Sequence, residues 1–327
     1  MRIRTLALAL LIGTRAWAQQ PTPDPDRVHD PAIIKEGSTY YLFGTGRGIP
    51  MHRSTDLVRW EPIGQVFDSI PAWAPAAVPG IRNSIWAPDI SFFNGKYHLY
   101  YSLSTFGKNT SAIGLATNVT LDPRDPRYRW VDEGKVIQSV AENQWNAIDP
   151  NVVLDTAGQP WLSWGSFWGG LKMRRLDLAT GLPSRTDSTL HSIAARPVEK
   201  SIEAPFIIHR EGWYYLFASY DFCCRGAESS YRVVVGRSRE VTGPYVDRYN
   251  IPMVLGGSTP VLSGAGRVRG PGHNAIITEG DEFLLVHHYY DAEEAGRSRL
   301  QIRPLSWSRD GWPIAGDPLP RATMSTR

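Results

Sequence analysis

The stretch Gly37-Ser38-Thr39-Tyr40-Tyr41-Leu42-Phe43 is a turn glycine followed by an aromatic and aliphatic run, and the chain repeats it four more times. The copies begin at Gly95 (followed by Lys96-Tyr97-His98-Leu99-Tyr100-Tyr101), Gly158 (Gln159-Pro160-Trp161-Leu162-Ser163-Trp164), Gly212 (Trp213-Tyr214-Tyr215-Leu216-Phe217-Ala218) and Gly280 (Asp281-Glu282-Phe283-Leu284-Leu285-Val286). Successive glycines lie 58, 63, 54 and 68 residues apart. Each run is short, rich in Tyr, Trp, Phe and Leu, and bounded by turn residues, which reads as a buried strand. A second strand-like segment follows each copy, at 51–54, 113–117, 171–175, 234–238 and 302–306. Five copies of one long β unit with no helical period predict an all-β, five-bladed β-propeller. A two-sheet sandwich explains short strands but not a fivefold repeat. No long linker or low-complexity stretch divides the repeats, so residues 19–327 read as one propeller domain.

A polar residue stands six to nine positions before each turn glycine, usually beside a proline: Asp30 before Pro31, Asp89 after Pro88, Asp149 before Pro150, Glu203 two before Pro205, and His273 in Gly272-His273-Asn274. Proline lacks an N–H and marks a strand start. In a propeller the innermost strand of each blade starts near the central channel, so the repeat delivers one ionisable group per blade to one place. A single Asp before Pro is more often a turn or cap residue; five in matching slots predict a shared site. Carboxylates held close push one pKa up and leave another group ionised. Glycoside hydrolysis requires that division of labour. Neither an EF-hand loop nor a zincin motif is present to favour a dedicated metal site instead.

Composition narrows the function classes. Residues 1–18 carry Arg2, Arg4 and Arg15 and no acid, then an apolar run from Leu6 to Ile12, then Ala16-Trp17-Ala18. These are the three parts of a secretory signal peptide, with the mature chain starting near Gln19. The apolar run is far shorter than the ~18 residues of a membrane span. Without those arginines the formal charge of +3 falls to zero, so a phosphate-gripping surface is not expected: no nucleic acid and no membrane as partner. A content of 42% hydrophobic and 11% aromatic residues excludes disorder. The profile is that of a secreted, neutral, aromatic-rich protein suited to sugar, and a monomer is expected. The only cysteines are adjacent, Cys223 and Cys224. Neighbouring Cα atoms lie closer than a disulfide usually allows, so a local structural or incidental role is expected.

The ordered motifs Trp86-Ala87-Pro88-Asp89, Ser104-Thr105-Phe106-Gly107, Asn146-Ala147-Ile148-Asp149-Pro150-Asn151, Gly165-Ser166-Phe167-Trp168, Ser201-Ile202-Glu203-Ala204-Pro205 and Gly272-His273-Asn274 follow His29-Asp30-Pro31. With this set the chain resembles glycoside hydrolase family 43 and, within it, the endo-1,5-α-L-arabinanases, from His29 to Pro313. The resemblance implies an inverting hydrolase of arabinan or arabino-oligosaccharides. It makes Asp30 the general base, Glu203 the general acid and Asp149 the carboxylate that raises and orients the acid. It also implies substrate contacts from Asp30, Trp86, Phe106, Gly107, Asn146, Ala147, Ile148, Asp149, Ser166, Phe167 and Trp168. His273 matches a histidine that in related arabinanases helps hold a central ion, often calcium (Ca2+), largely through waters. Asp89 is given a structural or supporting role. The alternatives are an exo-arabinanase, an α-L-arabinofuranosidase or a β-xylosidase of the same family, and more remotely a non-catalytic sugar-binding propeller. Asn109 and Asn118 begin glycosylation sequons.

Overall fold

The computed structural model describes residues 27–320, so the signal peptide expected at 1–18 lies outside the described residues. Five four-stranded antiparallel sheets follow one another along the chain, each in simple sequential order. Blade 1 holds β1 (Ala32–Glu36), β2 (Thr39–Phe43), β3 (Pro50–Ser54) and β4 (Glu61–Gln65). Blade 2 holds β5 (Trp86–Phe93), β6 (Lys96–Leu103), β7 (Ser111–Asn118) and β8 (Val131–Ser139). Blade 3 holds β9 (Asn151–Leu154), β10 (Pro160–Trp164), β11 (Leu171–Arg175) and β12 (His191–Ala194). Blade 4 holds β13 (Ile202–Arg210), β14 (Trp213–Tyr220), β15 (Arg232–Ser238) and β16 (Thr259–Ser263). Blade 5 holds β17 (Val268–Glu279), β18 (Glu282–Asp291), β19 (Arg297–Trp307) and β20 (Pro313–Ala315). The first strands touch in a ring, β1 with β5, β5 with β9, β9 with β13, β13 with β17 and β17 with β1. This is the five-bladed propeller that the repeat predicts.

The core explains why the repeat strands are apolar throughout rather than alternating. Successive side chains of a strand point to opposite faces, and here both faces are covered by a neighbouring blade. Tyr41 and Phe43 of β2 pack with β6 residues Leu99 and Tyr101. Tyr40 and Leu42 of the same strand pack with blade 5 residues Leu284 and Val286. In β14, Tyr214, Leu216 and Ala218 pack with Leu171 and Met173 of blade 3. Tyr215 and Phe217 turn the other way, toward Leu285 and Leu305 of blade 5. The remaining cluster joins Tyr100 and Leu115 of blade 2 to Leu162 and Trp164 of blade 3. The core therefore lies between blades, as five wedges.

Polar staples join the blades close to the axis. Asp89 is buried and accepts from the Val152 N–H at 2.8 Å and from Asn151 Nδ2 at 3.3 Å. Asn151 Oδ1 in turn accepts from the Ile207 N–H at 2.9 Å. Asp89 thus joins blade 2 to blade 3, and Asn151 joins blade 3 to blade 4. Both sequon asparagines are also buried and in use. Asn109 Nδ2 donates to the carbonyls of Asn143 and Val140, Asn118 Oδ1 accepts from backbone amides including Val119 and Arg129, and Asn118 Nδ2 is enclosed without a partner, so neither side chain is exposed to a glycan. No helix among the described residues is long and apolar enough to cross a membrane.

Asn151→Ala removes an inter-blade staple and leaves the buried Ile207 amide unpaired, which should cost about 1–3 kcal/mol. A lower urea midpoint at unchanged slope is the expected result. An unchanged midpoint would show that the staple carries no stability.

Candidate active site

Five left-handed residues stand at the heads of the first strands: Asp30 (φ 52°), Ala87 (φ 40°), Asp149 (φ 57°), Ala204 (φ 54°) and His273 (φ 48°). The first four each precede a proline, and His273 precedes Asn274. Non-glycine residues rarely adopt this conformation and need outside support to hold it. Each receives that support from the preceding blade. The Asp30 N–H donates to His288 Nδ1 on β18 (3.1 Å), Ala87 to Thr45 Oγ1 (2.7 Å) and Asp149 to Ser102 Oγ on β6 (3.0 Å). Ala204 donates to Asp149 Oδ2 (3.3 Å) and His273 to Ser219 Oγ on β14 (2.8 Å). The pairing register of blades 2, 4 and 5 shifts across these residues, and bulges of this kind re-aim side chains near functional sites.

These positions correct the slot assignment read from sequence. The true blade 2 counterpart of Asp30 is Ala87, not Asp89. Asp89 lies two residues further on, where it staples blades, and burial pushes its carboxyl up to about 7. The blade 4 counterpart is Ala204, and Glu203 precedes it by one. The axis receives three carboxylates and a histidine from the expected set, because the proline, not the acid, marks the repeat.

Asp30 is enclosed by a hydroxyl and three imidazoles. Thr45 Oγ1 donates to its Oδ2 at 2.5 Å, and His29 Nδ1 lies 2.8 Å from the same oxygen. His273 Nδ1 and His288 Nδ1 lie 3.2 and 3.6 Å from Oδ1. Burial alone would raise its carboxyl, but the imidazoles of His29, His273 and His288 outweigh it and hold it far below the usual carboxylate range. Glu203 behaves oppositely. Burial, aided by the charge of Asp30, pushes it up to about 7 against the opposing hydrogen bond from Ser166 Oγ, 2.5 Å from Oε2. Gly165 permits this placement of Ser166: its φ is 136°, and an added Cβ would sit 2.8 Å from the Gly170 carbonyl oxygen.

Asp149 was expected to stay ionised and lift Glu203. In the structure its own carboxyl is raised well above the ordinary value, first by burial and then by the charges of Glu203 and Asp30. Its one donor is the Ala204 amide at 3.3 Å, whereas Glu203 has a short hydroxyl donor. Burial and mutual repulsion thus raise Asp149 and Glu203 together, whereas Asp30 is lowered.

The other expected site residues divide by position. Ser166 touches Glu203, and the Phe167 N–H donates to the Ile202 carbonyl (2.8 Å), which sets its loop against the start of β13. Trp86, Phe167 and Trp168 are half-buried. Phe106 is 81% exposed on the loop after β6, beside the exposed Gly107. Asn146 Nδ2 donates to the Lys108 carbonyl, while its buried Oδ1 has no partner. Ala147 is fully buried in the wedge between blades 2 and 3 and Ile148 is buried, so their side chains are enclosed.

Sequence reasoning missed Thr45, His29, His288 and Tyr290. His29, Asp30 and His288 offer ligand atoms that all lie within 4.8 Å of one another, a buried group able to hold a metal ion. His273, the expected ion ligand, is not in that group but faces Asp30. A signal for His288 existed: it continues the blade 1-facing period of Leu284 and Val286, where a polar residue is out of place. The local structural role expected of the cysteines takes the form of a bridge. Cys223 and Cys224 are bonded to each other, the left-handed backbone of Cys224 (φ 65°) accommodating the turn, and Cys224 lies against Tyr290 and His29.

Residues 24–313 match the model of glycosyl hydrolases family 43. An extracellular exo-α-(1→5)-L-arabinofuranosidase of Cellvibrio japonicus is 43% identical over 94% of this chain and 90% of its own. An extracellular endo-α-(1→5)-L-arabinanase of Bacillus subtilis is 44% identical over 88% of this chain and 87% of its own. The solved structure of a Cellvibrio cellulosa α-L-arabinanase complexed with arabinohexaose superposes with a TM-score of 0.85 at 44% identity, covering 89% of this chain and 95% of that one.

Carboxyl-resolved NMR should find Glu203 titrating near 7. The Ser166 hydroxyl favours the charged form, so Ser166→Ala should move that titration upward. A downward move would contradict the site's electrostatics.

Proposed function

The chain belongs to glycosyl hydrolases family 43, and from that premise we propose that it is a secreted arabinanase that cleaves internal α-1,5-L-arabinofuranosidic linkages with inversion. The observation that carries the reading is the contrast between Asp30, ionised throughout the working pH range, and Glu203, still able to hold a proton near pH 7. A base must be ionised and an acid protonated at the same pH, and the two environments provide both at once. The arabinan specificity of the relatives supports the substrate, and their extracellular location together with residues 1–18 supports secretion.

In this mechanism Asp30 takes a proton from a water, whose oxygen attacks the anomeric carbon. Glu203 gives its proton to the departing glycosidic oxygen. Asp149 shares the proton of Glu203 and orients it through the Ala204 turn. Trp86, Phe167 and Trp168 offer ring faces to the furanosides, and Phe106 and Gly107 border the approach. A central calcium on His273 is the remaining expectation. Calcium takes oxygen ligands, whereas the buried group supplies two imidazoles and a single carboxylate. That donor set fits an imidazole-preferring divalent ion and does not fit directly bound calcium, so no step is assigned to an ion.

Exo action is the second reading, favoured by a Cellvibrio relative as similar as the endo-acting Bacillus one. On linear 1,5-arabinan, mixed short oligosaccharides should appear early. One fixed product from the first time point would establish exo action instead. Glu203→Gln and Asp30→Asn should each lower kcat by about 10²–10⁴-fold in folded protein. Full activity in either would remove that residue from its role.

A further inference from the structure

The loop between β14 and β15 carries the disulfide, and its contacts lead to Asp30. The Cys224 N–H donates to Tyr290 Oη at 2.8 Å. Tyr290 Oη lies 2.7 Å from His29 Nε2. His29 Nδ1 lies 2.8 Å from Asp30 Oδ2. Three close contacts thus run without a gap from the cysteine turn through Tyr290 and His29 to Asp30.

The disulfide matters to this chain of contacts in two ways. Cys224 Sγ lies 4.0 Å from His29 Nε2 and 3.7 Å from Tyr290 Oη. As a disulfide sulfur it has no proton to offer to either group. Reduction would place an S–H within reach of the same nitrogen and free the backbone of Cys224. The loop is otherwise well anchored: Asp221 (φ 71°) pairs with Arg196 and Arg232, and its N–H donates to the Ser201 carbonyl. Freedom gained by reduction would therefore be confined to the cysteine turn.

We infer that the Cys223–Cys224 turn and Tyr290 are positioning elements for the general base, acting through His29, and that the enzyme's turnover depends on the oxidised state of this turn. The inference rests on the reading of Asp30 as the base. Reduction here takes two electrons and two protons from an added dithiol, opens the S–S bond and leaves two thiols; the dithiol becomes a disulfide.

The test uses the full secreted protein on linear 1,5-arabinan. Tyr290→Phe and the double variant Cys223→Ser/Cys224→Ser should each lower kcat about tenfold with KM within about twofold, and their combination should fall no further than the worse of the two. Wild-type enzyme treated with dithiothreitol should drop to the level of the cysteine-free variant and recover on reoxidation, while that variant should not respond. If the cysteine-free variant does not fold, Tyr290→Phe and the reduced wild type carry the test. Wild-type kcat in Tyr290→Phe or in the reduced enzyme, beside an inactive Asp30→Asn, would overturn the positioning role and leave the base in place. Independent, multiplying losses would also overturn it. Activity in Asp30→Asn would overturn the base reading itself.

Discussion

The whole arrangement depends on one recurrent constraint, a left-handed residue at the head of each innermost strand whose amide is caught by the preceding blade. A left-handed backbone at a non-glycine residue costs energy unless the surroundings fix it. Here the amides donate, Asp30 to His288, Ala87 to Thr45, Asp149 to Ser102, Ala204 to Asp149 and His273 to Ser219. They go once around the axis and close between the first and last blades. The site is thus assembled by the same contacts that assemble the ring.

Two of those contacts carry chemistry as well as structure. Thr45 accepts from Ala87 and donates to the Asp30 carboxylate, so the residue that fixes blade 2 also steadies the proposed base. Asp149 supports the Ala204 turn that follows Glu203, so the group proposed to share the proton of Glu203 also fixes the backbone beside it. The electrostatic contrast follows from position. Asp30 sits at the junction of blades 1 and 5 among imidazoles. Glu203 and Asp149 face each other from blades 3 and 4 with few donors. Burial raises all three carboxyls, and only at Asp30 do the surrounding imidazoles reverse it.

The blades were legible in the sequence because a strand covered on both faces has to be apolar throughout, and Tyr40 to Phe43 or Tyr214 to Phe217 say so directly. Asp30 and Asp149 were legible because proline marks the strand start behind them. Glu203 was found although its slot belongs to Ala204, and Asp89 was placed in a slot that belongs to Ala87. Proline was the marker in both cases, and a bulge moves the acid relative to it. His29, His288 and Tyr290 were not legible as site residues, since their role arises where blade 5 meets blade 1, 258 positions apart in the Asp30 to His288 bond. The link from the cysteine pair to the site was not legible for a similar reason: its neighbours are brought to it only by ring closure.

The central claim is that an ionised Asp30 activates water while Glu203 protonates the opposite end of the scissile bond. Such a pair attacks from the face opposite the leaving group and inverts the anomeric centre. Proton NMR of linear 1,5-arabinan during the first minutes of hydrolysis reads that outcome directly. The account predicts that the new reducing ends appear first as the β-anomer and only later mutarotate. First appearance of the α-anomer would mean net retention, and would contradict the assignment of Asp30 as a base acting through water.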